Sequence, residues 1–128
     1  MIWLLEVEWL GQTWYLSSRP CEPVEDGVAI PHTGTLECDG FNEGLTLGGG
    51  QQGPCKADVA FVLPGVDVQK MVLQGHQTNT MKGVLSLWSP ERTYGQRVKL
   101  IQGKMKVSNI PEPGYAIEGT LTQVIIEN

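Results

Sequence analysis

A chain of 128 residues suffices for one ordinary domain that buries about two-thirds of the surface its unfolded form exposes, so it needs neither a disulfide nor a metal to fold. Apolar residues at 41% and charged residues at 18% exclude a disordered chain, and 16 Gly with 8 Pro suit many turns joining short strands. A net charge of -5 argues against non-specific nucleic-acid binding, which Lys and Arg drive by neutralising phosphates.

The N-terminal MIWLLEVEWLGQ starts apolar but has no basic lead-in, and Glu6 and Glu8 interrupt it, so neither a signal peptide nor a membrane span is expected. Trp3, Leu5, Val7 and Trp9 alternate with Leu4, Glu6 and Glu8. That is the period of a half-buried strand; a turn at Gly11-Gln12 and a strand over Thr13 to Ser17 complete a predicted hairpin. Arg19 to Gly27, with two prolines, three acids and a glycine, reads as a loop. Val28 to Leu36 reads as a third strand that Pro31 bends or places at an edge, before a turn at Asp39-Gly40. The five glycines of FNEGLTLGGGQQGP make residues 41–54 a flexible loop, one that orders on assembly or links two sheets. It lacks the Gly-Lys-Ser/Thr ending of a phosphate-binding loop.

Ala57 to Leu63 has the character of a short buried strand ended by Pro64-Gly65. In VDVQKMVLQG, Val68, Met71 and Val72 fall at helical spacing before Gly75, but three β-branched valines suit a strand equally, so residues 66–75 stay open between the two. From Gly83 to Asn128 three strands follow one another, separated by ERTYGQ and PEPG. Leu85 and Leu87 alternate with Ser86, and Ile101, Met105 and Val107 with Gln102, Lys104 and Lys106. The last strand puts Tyr115, Ile117, Leu121 and Ile125 on one side and Glu118, Thr120 and Thr122 on the other, until Val124 and Ile126 make its end apolar on both faces. The expected fold is all-β, one antiparallel β-barrel or β-sandwich spanning residues 1–128, with room for one short helix.

No side-chain pattern points to an enzyme. His32 and His76 belong to no HExxH or GxSxG setting and are read as solvated loop residues; Glu25-Asp26 and Glu37 with Asp39 are read as acidic turns. Cys21, Cys38 and Cys55 are odd in number and lack CxxC spacing, so reduced structural thiols are expected and no cofactor; a metal held by the three cysteines and His32 is the weaker alternative. Trp3 and Trp9 follow the apolar side of their strand and are read as core. Trp88 falls on the Ser86 side of its strand and is read as a surface aromatic that meets a partner or stacks on a sugar. Charge is divided along the chain: residues 1–60 hold nine acids and two bases, a net of -7, and residues 61–128 hold seven bases and five acids, a net of +2. The division reads as an ordinary solvated surface or, as the sharper alternative, as a subunit with an acidic and a basic face that could stack head to tail in a ring.

LWSPERTYGQRVKLIQGKMKV resembles the strand, Pro-containing turn, strand and glycine of small β-rich tail-tip or baseplate proteins of long-tailed bacteriophages, and WLGQTWYLSSRP is similar to their opening hairpin. The resemblance covers about half the chain. It implies a structural protein of the virion tail, assembled in the host cytoplasm as a homo-oligomeric ring that acts as an adaptor between tail tube, hub and receptor-binding parts. The expected partners are other copies and other tail proteins, without nucleic acid or membrane insertion. Trp88, Tyr94, Lys104, Lys106, Val124 and Ile126 are the expected interface residues. A carbohydrate- or ligand-binding β-module is the alternative.

Overall fold

The structure, a computed structural model, describes residues 1–42, 56–112 and 114–123. Most of the glycine-rich loop expected at 41–54, together with Cys55, Val124 and Ile126, lies outside the described residues. The chain runs β1 (Ile2–Trp9), β2 (Gln12–Ser17), β3 (Val24–Glu25), β4 (Val28–Ala29), β5 (Glu37–Asn42), β6 (Lys56–Phe61), α1 (Val68–Leu73), β7 (Lys82–Trp88), β8 (Val98–Val107) and β9 (Ile117–Gln123). Single 3-10 turns at Thr78–Thr80 and Tyr94–Gln96 lead into β7 and β8.

Among the described residues, seven strands form one antiparallel sheet in the order β2-β1-β7-β8-β9-β6-β5, curled into a half-barrel; β3 and β4 pair separately. This settles the expected class as all-β with one short helix. The order also redistributes the charge. The acidic first half of the sequence supplies both flanks of the sheet, β2-β1 and β6-β5, whereas the second half supplies its centre.

The β1-β2 hairpin forms where expected, although Leu10 (φ 55°) and Gly11 (φ 72°) make the turn rather than Gly11-Gln12. Two consecutive residues of positive φ give a turn whose twist matches the flanking strands. The same device recurs at Asp26 (φ 52°) and Gly27 (φ 78°), which join β3 to β4 inside the stretch read as loop. Only Val28 and Ala29 of the expected 28–36 strand are strand, because Pro31 interrupts the run. Asp39 and Gly40 do not turn the chain; they belong to β5, whose register with β6 shifts between Asp39 and Asn42, as at a bulge. The segment left open at 66–75 contains a helix. Asp67 Oδ1 accepts from the Lys70 N–H at its start, while the N–H groups of Gly75 (φ 96°) and His76 bond Val72 O and Met71 O at its end, a Schellman cap.

One face of the sheet carries the main core. Leu5, Val7 and Trp9 of β1 meet Leu16, Ala57, Val59, Phe61, Leu85, Ile101, Met105, Ile117 and Leu121, and α1 contributes Val68 from the segment that covers this face. Each large apolar side chain so buried contributes about 1.5–3 kcal/mol. Trp9 also donates its ring N–H to Gln77 O at 2.9 Å and is core as expected, whereas Trp3 is only partly buried and packs against the margin of the core. Period-two alternation in β8 holds from Ile101 to Val107; a register shift between Leu85 and Ser86 leaves Leu100 as the extra residue opposite β7. Tyr115 departs from expectation: it precedes β9, donates its N–H to Glu112 O and is 67% exposed, so it is not part of the apolar row of that strand.

Candidate functional site

The second face of the sheet has a covered end and an open end. At the covered end a strap over residues 18–36 is laced to the first hairpin: Ser17 N–H donates to Thr33 O, Leu36 N–H to Ser17 O, Thr33 N–H to Tyr15 O and Ser18 N–H to Trp3 O. Ser17 Oγ adds bonds to Arg19 O and Thr33 O. Beneath this strap and the 94–96 turn, Ile2, Leu4, Trp88 and Tyr94 form a second apolar cluster, with Cys21 and Ile30 packed against it.

This cluster corrects two of the expected interface residues. Trp88 does lie on the opposite face from Leu85, as its parity requires, but it is only 7% exposed, and its ring N–H donates to Arg92 O (3.1 Å) and Thr93 O (3.3 Å). Tyr94 is 2% exposed and donates its hydroxyl to Glu6 Oε1 at 2.7 Å, with the Arg97 guanidinium 3.9 Å from its ring centroid and 3.7 Å from Glu6. Burial and the bond to Glu6 push the Tyr94 hydroxyl well above the usual tyrosine range. Neither ring offers a sugar or a partner a surface in this chain.

His32, read as solvated, is also buried in the strap. Its Nδ1 donates to Ile30 O at 2.8 Å, and Nε2 has no partner. Tyr15 and Tyr94 face it at ring distances of 5.4 and 6.0 Å; Glu6 and Arg97 are the nearby charges, and Cys21 pairs with its backbone. Burial dominates and holds the imidazole below its usual range, against the bond to Ile30. The unfolded chain therefore takes up this proton near pH 6.5 while the folded chain resists it, so the contribution is intact above that value and is lost as pH falls below it. Between pH 7 and 5.5 we expect wild-type unfolding free energy to fall by up to about 1.4 kcal/mol per pH unit more than that of His32→Asn, measured by urea denaturation. Parallel pH profiles would remove His32 from this role.

Cys21 packs with the second cluster, whereas Cys38 packs against the main core. The fold thus does not gather Cys21, Cys38 and His32 into one ligand set. Burial raises the Cys21 thiol pKa, the direction of a structural rather than a nucleophilic cysteine.

At the open end the sheet register builds a charged row that the sequence does not display. Thr13 of β2 stands opposite Glu8 of β1, Glu8 opposite Lys82 of β7, Lys82 opposite Lys104 of β8, Lys104 opposite Thr122 of β9, and Thr122 opposite Lys56 of β6. Partners in an antiparallel register share a face, so three lysines lie in one line, and Lys106 follows two residues along β8. Lys82, Lys104, Lys106 and Lys56 are exposed, and among the described residues none lies within ion-pair distance of a carboxylate, unlike Arg97, which pairs with Glu6. Like charges directly opposite each other are destabilising. A cleft of about 370 Å³ opens here, its walls including Glu8, Thr13, Lys82, Val84, Gln102 and Lys104. Of the expected interface residues, Lys104 and Lys106 thus stand on the open face and Trp88 and Tyr94 in the interior. Lys82 and Lys56 were missed, because only strand pairing brings them beside Lys104.

No family model, curated protein or solved structure matches the chain. Among the described residues no helix is long and apolar enough to cross a membrane.

Proposed function

We propose that the chain is a structural subunit of the tail tip or baseplate of a long-tailed bacteriophage, assembling as a ring and serving as an adaptor between tail tube, hub and receptor-binding parts. The observation that carries this reading is the exposed Lys82–Lys104 pair, like charges directly opposite each other with Glu8 on the far side of Lys82 and Lys56 beyond Thr122 in the same row, an arrangement that a partner carboxylate would stabilise. The β-rich build suits it. A carbohydrate-binding module draws less support, since its platform rested on Trp88, which is buried.

Electron-microscopic imaging of the purified protein with the products of neighbouring genes tests the proposal. Rings bound to a tail component are the expected result. A protein that stays monomeric, binds no tail component and derives from a gene cluster without tail proteins rejects it.

A further inference from the structure

We infer that the contact between successive copies is made by the β3-β4 arm of one chain laid on the lysine row of the next, an inference that rests on the ring reading and specifies its interface. From Val24 to Ala29 every residue of the arm is exposed; Val24 is 55% and Val28 65% accessible. A two-stranded pair standing alone is marginally stable, so an arm with two bare valines gains from cover. Residues 22–29 also carry Glu22, Glu25 and Asp26 and no base, all three acids exposed, and among the described residues no ion pair engages any of them. The lysine row is the complementary surface: its lysines are exposed and, among the described residues, in no ion pair, and Lys82 and Lys104 flank a cleft lined also by Val84, Glu6 and Glu8.

The arm is held at the wrong end of its own sheet to use that surface. β3 lies beside the 94–96 turn, and the neighbouring Ile30 packs with Trp88 at the covered end. Lys82 begins β7 and Trp88 ends it, a separation of about 20 Å at ~3.3 Å per residue. A contact between arm and row is therefore made between two copies, and it joins unlike surfaces, so each copy offers both a donor and an acceptor end. Such heterologous contacts close into rings when the rotation allows it. Both ends are charged, which makes the association sensitive to salt beyond about 0.1 M, where the screening length shortens to about 10 Å.

Charge exchange tests the inference on the full chain. One variant carries Lys82→Glu and Lys104→Glu, the other Glu22→Lys and Glu25→Lys; all four positions are exposed, and unchanged urea midpoints verify the fold. By sedimentation velocity at low salt, wild type should self-associate, each variant alone should associate at least about tenfold more weakly, and an equimolar mixture should recover assembly, since each now complements the other. Assembly of wild type that neither variant weakens overturns this contact while leaving a ring intact. A mixture that fails to assemble also overturns it, and a wild type that is monomeric at every salt concentration overturns both the contact and the ring. If the row instead takes up an anionic polymer such as heparin while the arm variant behaves as wild type, the occupant is not a second copy and the inference falls.

Discussion

Replacing Trp88 with Ala should cost about 3–5 kcal/mol of stability, seen as a large drop in the urea midpoint with little change in slope. The ring closes one end of the second apolar cluster, over Ile2 and Leu4 and beside Tyr94, and its N–H satisfies the carbonyls of Arg92 and Thr93 that start the turn into β8. Truncation leaves a cavity and two carbonyls without that donor. A surface hot spot behaves in the opposite way: its loss weakens binding and leaves folding within about 0.5 kcal/mol of wild type. Trp88→Phe, which keeps the ring volume but not the donor, should fall between the two. Wild-type stability in Trp88→Ala would return this residue to the surface.

The second large effect is expected at a glycine. A Cβ built on Gly119 comes within 2.9 Å of Lys106 O and 3.0 Å of Met105 Sδ, and the first of these is backbone in the middle of the β8-β9 ladder. Backbone cannot swing aside as a side chain can, so Gly119→Ala should destabilise by about 1–3 kcal/mol. Gly83 is the control. Its Cβ would meet the side-chain ends of Leu121 and Leu5 at 3.2 and 3.3 Å, which can yield, and the reduced freedom of the unfolded chain offsets the crowding. Gly83→Ala is therefore expected within about 1 kcal/mol of wild type. Equal losses at both positions, read from thermal or urea unfolding, would mean that the close approach at Gly119 does not decide the outcome.

Short-range signals were legible in the sequence, and pairing was not. Alternation located β1, β7, β8 and β9, a turn signal placed β2, a short apolar run ended by Pro64-Gly65 placed β6, and the helical spacing of Val68, Met71 and Val72 matched α1. Asp26-Gly27 carried a hairpin signal that the surrounding prolines and acids obscured. At Trp88 the parity was read correctly, but exposure was inferred from Ser86, and parity says nothing about a strap arriving from residues 18–36. His32 escaped for the same reason: its burial comes from Tyr15 and Tyr94, 17 and 62 residues away in sequence. The candidate interface was half visible. Lys104 and Lys106 show themselves by alternating with Met105, whereas Lys82 and Lys56 join them through two separate strand pairings. The uneven charge was also real, but the sheet order converts two sequence halves into acidic flanks around a centre that carries Lys82, Lys104 and Lys106.

The position of β9 bears on how the molecule comes together. It is the last of these strands along the chain, yet it lies between β8 and β6, and β6 with β5 joins the rest of the sheet through it. During synthesis β1, β2, β7 and β8 can pair as soon as they emerge, while β5 and β6, made earlier, have no sheet to join until residues 117–123 leave the ribosome. Until then β6 holds Ala57, Val59 and Phe61 without the strand that covers its inner edge. Folding that depends on closing such a distant pairing is slow, and an unpaired edge during the wait is exposed to wrong strand partners.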